Sequence, residues 1–303
     1  MISIAMATYN GSRYLRDQLD SILSQTIQDF EIVICDDCST DSTMSLLDKY
    51  SAKDSRIHVY QNEHNLGFKE NFSKAISLCN GDYIALSDQD DIWMEDHLEM
   101  LFNALNEHNA VLACGDATII DSNGNEMGLT SSFIDGMDAV PMNNIEKARH
   151  ILLCENSFQG SSMLMRRSLA ERAIPIPSAI GFHDTWIAAL ACFFGGLTYI
   201  QAPVLRYRRH SHEVTKGKRR MSPIRKFVGI SLFNHSLKDR KAIVDSILSM
   251  NDGLNDSDIY ELELIQGMLL RRASIWGRLL NIPYYLKHFK TIFTTNNPFK
   301  LRA

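Results

Sequence analysis

Between residues 1 and 120 the apolar positions fall into two alternating rhythms. Short, mostly apolar runs of strand length occur at Ile2–Thr8, Phe30–Cys35, Ile57–Gln61, Asp82–Ser87 and Ala110–Ile120. Between them the spacing turns helical. Leu15, Leu19, Ile22 and Leu23 share one face, as do Phe68, Phe72, Ala75 and Ile76 within Phe68–Leu78, and Glu95–His108 reads as a further helix. Thr40-Asp41-Ser42 offers N-cap side chains ahead of Leu46, Leu47 and Tyr50. Strands alternating with helices at this spacing predict an α/β fold, a mostly parallel sheet flanked by helices.

The pattern divides the chain. Residues 1–120 form the alternating half. Residues 121–215 are mixed, with Gly160-Ser161-Ser162 before an apolar segment, His183-Asp184 before Trp186–Phe194, and a basic strand-like stretch, Leu205–His210. From 216 to 303 the pattern is helical and basic. We therefore expect one domain over 1–215 and a helical extension over 216–303.

Charge sharpens this division. The net charge of −5 sums a balance of −12 over residues 1–110 and +7 over 111–303. That asymmetry suits a cation-binding half joined to a half that meets phosphates or anionic lipid. Nothing in it calls for a nucleic-acid partner. The six cysteines show neither disulfide-scaffold density nor paired zinc spacing. The start of the chain lacks a basic stretch followed by an apolar one, and no apolar run reaches bilayer length, so a cytoplasmic location is expected.

In open α/β sheets ligands bind beyond the carboxyl ends of the strands. Those ends carry Thr8-Tyr9-Asn10-Gly11, Asp36-Asp37 and Ser87-Asp88-Gln89-Asp90-Asp91. Five carboxylates at one sheet edge repel one another unless a cation or hydrogen-bond donors neutralise them, and hard oxygen ligands suit Mn²⁺ or Mg²⁺. Such an ion serves phosphoryl or glycosyl transfer by stabilising charge on a leaving diphosphate. Asp91, ahead of the helix at Glu95, also reads as a cap. No G-x-x-x-x-G-K-[ST] or G-x-G-x-x-G is present, which disfavours P-loop and dinucleotide-binding enzymes.

Ala7-Thr8-Tyr9-Asn10-Gly11, Gln25-Thr26, Phe30 through Asp41, Asn65-Leu66-Gly67-Phe68 with Asn71, and Ser87-Asp88-Gln89-Asp90-Asp91-Ile92-Trp93 together resemble family 2 glycosyltransferases of GT-A fold, over roughly residues 1–215. The resemblance implies a nucleotide-sugar-binding half at 1–120 and an acceptor and catalytic half at 121–215. It implies that Thr8, Tyr9, Asn10, Asn65 and Asp36 or Asp37 hold base and ribose. Asp88 faces the ribose or a metal-bound water, and Asp90 binds the divalent ion. Gly160 allows close backbone approach before the acceptor region. His183-Asp184 stands where the family writes Glu-Asp, so Asp184 is the expected catalytic base despite the histidine. A late histidine, His210 or else His212, joins the metal, and Arg208 helps neutralise the diphosphate.

These motifs look most like bacterial rhamnosyltransferases of polysaccharide assembly. The expected donor is therefore dTDP-rhamnose, with UDP-hexoses and UDP-N-acetylhexosamines as the alternative. The expected acceptor is a glycan or a lipid-linked glycan. A processive synthase is disfavoured by the absence of membrane spans and of Q-x-x-R-W, and a nucleotidyltransferase by the absence of a basic glycine-rich loop. A non-catalytic sugar-nucleotide-binding protein would not need Asp88, Asp90 and Asp184 all intact. Residues 269–303 carry seven basic and no acidic side chains, interleaved with leucines and aromatics. That composition predicts attachment to an anionic membrane surface, in two pieces broken at Pro283.

Overall fold

Unbroken apolar character is what a strand needs when both of its faces are covered, and the first two strands show it. Along β1 (Ile2–Thr8) only Ala7 is not fully buried; helix α1 (Leu15–Leu23) follows, and β2 (Phe30–Asp36) is buried throughout. Then come α2 (Thr43–Ser51), β3 (Ile57–Gln61), α3 (Phe68–Leu78), β4 (Tyr83–Ser87), β5 (Ile92–Trp93), α4 (His97–Glu107), β6 (Leu112–Ile120) and β7 (Glu126–Thr130). The later elements are α5 (Asn144–Leu153), β8 (Met163–Arg166), α6 (Arg167–Ala173), α7 (His183–Phe193), β9 (Leu197–Arg208), α8 (Leu237–Leu248), α9 (Asp256–Arg271), α10 (Ile275–Leu280) and α11 (Ile282–Lys287). The computed structural model describes residues 1–132, 142–154, 156–210, 237–250, 252–272 and 275–288.

The strands form one sheet in the order β3-β2-β1-β4-β8-β6-β9-β5, with β7 paired to β6. The run β3-β2-β1-β4 is parallel, as the alternating pattern predicts. Beyond β4, strands β8, β5 and β7 run antiparallel to their neighbours, while β6 and β9 pair in parallel. Leu15, Leu19 and Ile22 of α1 and Leu98, Leu101 and Leu105 of α4 join Ile4, Met6, Ile32 and Ile34 in one buried cluster. Each such fully buried side chain contributes about 1.5–3 kcal/mol.

Contacts group the chain into two units. The sheet unit comprises Met1–Ser131, Phe158–Ile176 and Leu197–Lys216. The helical unit comprises Ser132–Ser157, Pro177–Gly196 and Gly217–Ala303. This differs from the single boundary at 215/216 expected from the sequence. The reason is packing within the helical unit. Helix α5 packs on α7, α8 and α9, and α8 packs on α9. Their buried side chains, among them Ile151, Ile187, Ile243, Val244 and Ile265, find partners in elements far away in sequence. Arg149 of α5 makes a bidentate pair with Glu261 of α9, both contacts at 2.7 Å. Burial works against the ionised Glu261 carboxyl, but its bonds to Arg149 and Tyr284 prevail and hold it below the usual range.

Among the described residues no helix is long and apolar enough to cross a membrane. All six cysteines are free, including the pair in Cys35-Asp36-Asp37-Cys38.

Candidate functional site

The carboxyl ends of β1, β2 and β4 meet as the topology requires. Asn10 takes a left-handed conformation, φ +48, which asparagine tolerates better than most residues. That turn aims its Oδ1 at the N–H groups of Thr40, 2.8 Å away, and Asp41, 3.3 Å away. Tyr9 is exposed, and its backbone is clasped by Gln89. The Tyr9 N–H donates to Gln89 Oε1 at 2.9 Å, and Gln89 Nε2 donates to the Tyr9 carbonyl at 3.0 Å. A Cβ on Gly11 would come within 2.1 Å of that Gln89 oxygen, so the clasp requires glycine there.

Asp36 and Asp37 are buried, and their oxygens are spent on protein donors. Asp36 accepts from the Thr8 hydroxyl at 2.9 Å and from the N–H and hydroxyl of Ser39. Asp37 accepts from Leu66 N–H at 2.7 Å, Gly67 N–H at 2.8 Å and Asn62 Nδ2 at 2.8 Å. Asn65 Nδ2 donates to the Asp37 carbonyl at 3.0 Å. These two aspartates therefore shape the loops around the sheet edge. The five carboxylates do not gather around one cation, and no group of three or more His, Cys, Asp or Glu side chains suited to a metal occurs among the described residues. For Asp36 and Asp37 the anticipated repulsion is met by these hydrogen-bond donors.

What does converge is a smaller set. The two-residue strand β5 pairs with β9, Ile92 opposite Arg206 and Trp93 opposite Leu205, which carries the end of β9 to the Asp88–Asp91 turn. There His210 Nε2 lies 2.8 Å from Asp90 Oδ2. Arg208 is buried; its Nε donates to the Asp90 carbonyl at 2.8 Å and a terminal nitrogen meets Asp17 at 3.0 Å. Its N–H donates to Asp91 Oδ1 at 3.0 Å. Arg208 thus fixes the turn that carries Asp90. Asp91 is fully buried in this turn, and the helix that follows is flanked by Asp96, so Asp91 is not a cap. Burial first, then the charges of Asp90 and Asp88, raise its carboxyl well above the usual range.

A carboxylate and an imidazole meeting at 2.8 Å form a donor set that fits Mn²⁺ or Mg²⁺, since such sites commonly use one or two protein ligands and fill the rest with phosphates and water. His212 lies outside the described residues. Gly160 opens a buried 3₁₀ turn at Gly160–Ser162 that packs against β4 and β6. Asp184 sits in the first turn of α7 in the helical unit, where the helix dipole favours an anion. Its Oδ1 accepts from Thr185 N–H at 2.5 Å and from the Thr185 hydroxyl at 3.1 Å. Neighbouring His183 is buried, which lowers its pKa against the opposing pull of the Asp184 charge.

Tyr14 and Asp17 went unread in the sequence, and Gln89 stood in the Ser87–Trp93 motif without a role. The buried Tyr14 ring lies 4.6 Å from the Arg208 guanidinium and 5.0 Å from the His210 ring. The available signal was an aromatic between two arginines just before a helix, and its partners, Arg208 and His210, lie far along the chain.

A mostly parallel sheet edge with a clasped first loop and an Asp-His pair beyond the fourth strand places the chain in the α/β class. Residues 3–173 match the sequence profile described as glycosyl transferase family 2, and the chain belongs to that family. It is 33% identical over 123 residues, 41% of its length, to the UDP-Glc:alpha-D-GlcNAc-diphosphoundecaprenol beta-1,3-glucosyltransferase WfgD of Escherichia coli, covering 48% of that protein. The chain thus spans about half the length of this curated relative. TarS of S. aureus, residues 1–349, solved with UDP-GlcNAc, superposes with a TM-score of 0.60 at 19% identity, over 97% of this chain and 78% of that one. The mannosyltransferase PcManGT of Pyrobaculum calidifontis, solved with GDP-Man and Mn²⁺, gives 0.55 at 16% identity, over 94% and 75%. Both likenesses concern the fold.

Proposed function

We propose that the protein is a metal-dependent glycosyltransferase that moves a sugar, with inversion, from a nucleotide diphosphate sugar to an acceptor hydroxyl in cell-surface polysaccharide assembly. The observation that carries this is the contact between Asp90 and His210 at 2.8 Å, fixed by Arg208. Asp90 and His210 would hold Mn²⁺ or Mg²⁺, with Asp88 facing the ribose or a water on the ion. The ion would supply charge stabilisation on the departing diphosphate. Thr8, Tyr9, Asn10 and Asn65 would line the base and ribose, with Asp36 and Asp37 holding their loops in shape. Gly160 would let the backbone approach the substrate closely.

Asp184 is the proposed base. It takes the acceptor proton as the acceptor oxygen bonds to the anomeric carbon and the bond from that carbon to the diphosphate oxygen breaks. Such a base is worth about 10²–10⁴ in rate. We expect Asp184→Asn to bind donor normally, seen as an unchanged thermal shift, and to lose transfer by roughly that factor. Near-normal transfer would remove Asp184 from the mechanism.

For the donor we propose dTDP-rhamnose, on the resemblance of residues 87–93 and 207–210. The second reading, a UDP-hexose or UDP-N-acetylhexosamine, is favoured by the relative named for UDP-Glc. Thermal shift across a donor panel separates them, because a saturating ligand stabilises by RT ln(1 + [L]/Kd). That same relative is named for an acceptor on diphosphoundecaprenol. We propose a lipid-linked glycan as acceptor, met at the cytoplasmic face of the membrane.

A further inference from the structure

We infer that α10 and α11 dock on an anionic lipid surface through Trp276, Leu279 and Leu280, an inference that rests on the lipid-linked acceptor proposed above. The starting point is an inverted helix. On α10 the residues Trp276, Leu279 and Leu280 share one face by helical spacing, and that face is exposed: Trp276 at 76% and Leu280 at 70%. The inward side carries Gly277 and, just past the helix end, Asn281. A Cβ on Gly277 would lie 2.2 Å from the Arg271 carbonyl oxygen, so α10 rests backbone to backbone on the end of α9. Asn281 is buried, with Nδ2 donating to the Met268 carbonyl at 2.9 Å and Oδ1 accepting from Arg271 Nε at 2.8 Å. A helix stabilised by its own core contacts turns its large apolar residues inward. This one turns them out.

The segment is held in that orientation. Pro283 stands in the first turn of α11, which separates the two short helices as the sequence predicts. Tyr285 is buried, and its hydroxyl accepts from Arg272 Nε at 2.8 Å, while Arg272 also donates to the Leu153 carbonyl at 2.7 Å. Leu270 and Leu286 add further exposed apolar surface at either end. Residues 273, 274 and 289–303 of the stretch expected to meet the membrane lie outside the described residues.

Charge selects the partner. Between 269 and 288 stand Arg271, Arg272, Arg278 and Lys287, with no aspartate or glutamate. Of these, Arg271 and Lys287 are exposed, Arg278 is half-buried and Arg272 is buried. A second copy of the chain, docked through the same face about a twofold axis, would set this positive patch against itself. An anionic bilayer offers negative headgroups to the cations and an acyl boundary to Trp276 and the leucines.

The test is flotation of the full chain with vesicles of phosphatidylcholine alone or mixed with phosphatidylglycerol, combined with tryptophan emission. Trp93 is 3% and Trp186 1% exposed, so a blue shift on adding vesicles reports Trp276. We expect co-flotation and a blue shift with the anionic vesicles at low salt, both lost at high salt. The variant Trp276→Ser with Leu280→Ser should fold normally, since both side chains are exposed, and bind vesicles roughly tenfold or more weakly. Failure of the wild type to float with anionic vesicles at low salt, or equal binding by the double variant, overturns the inference. So does a concentration-dependent dimer, seen by sedimentation without vesicles, that the double variant abolishes. Donor turnover in vesicle-free solution is scored separately, so a failed docking face and a failed enzyme assignment give different results.

Discussion

At the scale of single residues, the site depends on side chains that hold other side chains. Tyr14 is the clearest. Its ring stands between Arg208 and His210, and its buried hydroxyl has no hydrogen-bond partner among the described residues. Only the ring is used, so Tyr14→Phe should keep Mn²⁺ affinity, and Tyr14→Leu should lower it roughly 10-fold or more, as loss of an orienting partner does. Titration of Mn²⁺ by electron paramagnetic resonance reads this without turnover; equal affinity in both variants would remove Tyr14 from the positioning of His210. His97 makes a second prediction. It is fully buried, stacked on Trp93 at 3.9 Å, and donates Nδ1–H to the Val204 carbonyl at 2.9 Å. Burial pushes its pKa down to about 3. The unfolded chain therefore binds a proton at His97 between pH ~6.5 and about 3 that the folded chain refuses. Stability is fully present above pH ~6.5 and falls by about 1.4 kcal/mol per pH unit as the pH drops below it. His97→Gln should remove one proton's worth of that slope, measured by denaturant melts between pH 7 and 5; an unchanged slope would contradict a neutral buried imidazole. Asp90 and His210 could be named from the sequence because the family resemblance assigns those positions to the ion, whereas Tyr14, Asp17 and Gln89 act through contacts that no local spacing encodes.

At the scale of elements, the first half of the sheet was readable because β1, β2 and β4 are short apolar runs with both faces covered, and β3 is a short strand at the sheet edge. Ile2–Thr8, Ile57–Gln61 and Phe68–Leu78 form with the bounds their patterns predict. The strands β5, β7 and β8 were not readable, since two to five residues carry too little periodicity and their pairing depends on partners far along the chain. Two helices announce themselves by caps that were passed over: Asn143 with Glu146, and Asn255 with Asp258, each a reciprocal capping box. Before α2 the capping side chain is Asp41, whose Oδ1 accepts from Thr43 N–H at 2.9 Å, rather than Ser42. The loop between β3 and α3 hangs on Asp37. Asp37→Asn places an amide N–H₂ against at least one backbone N–H that now donates to the carboxylate, and should cost about 1–3 kcal/mol. A denaturation midpoint checks this. Unchanged stability with weakened donor binding would instead give Asp37 direct contact with the nucleotide.

At the scale of the whole molecule, the sequence separates a sheet-forming chain from a basic helical end, but it hides how segments 132–157 and 177–196 leave the first unit for the second. Helix α7 shows why: it is buried on nearly every side, so its pattern carries no face by which to assign its neighbours. Asp184 rides on that helix, and its proposed role comes from the family motif and its place in the first turn. The proposed metal pair, Asp90 and His210, by contrast, belongs wholly to the sheet unit and is fixed there by β5 and β9. The central claim is that this chain breaks the sugar-diphosphate bond of a nucleotide sugar with the help of an ion held at Asp90 and His210. Release of nucleoside diphosphate from a panel including dTDP-rhamnose, UDP-glucose and UDP-N-acetylglucosamine, with Mn²⁺ or with EDTA, measures it directly. We expect turnover of one donor, abolished by EDTA and lowered roughly 10²-fold or more by Asp90→Asn. Turnover that survives both EDTA and Asp90→Asn, or none with any donor and acceptor supplied, would contradict it.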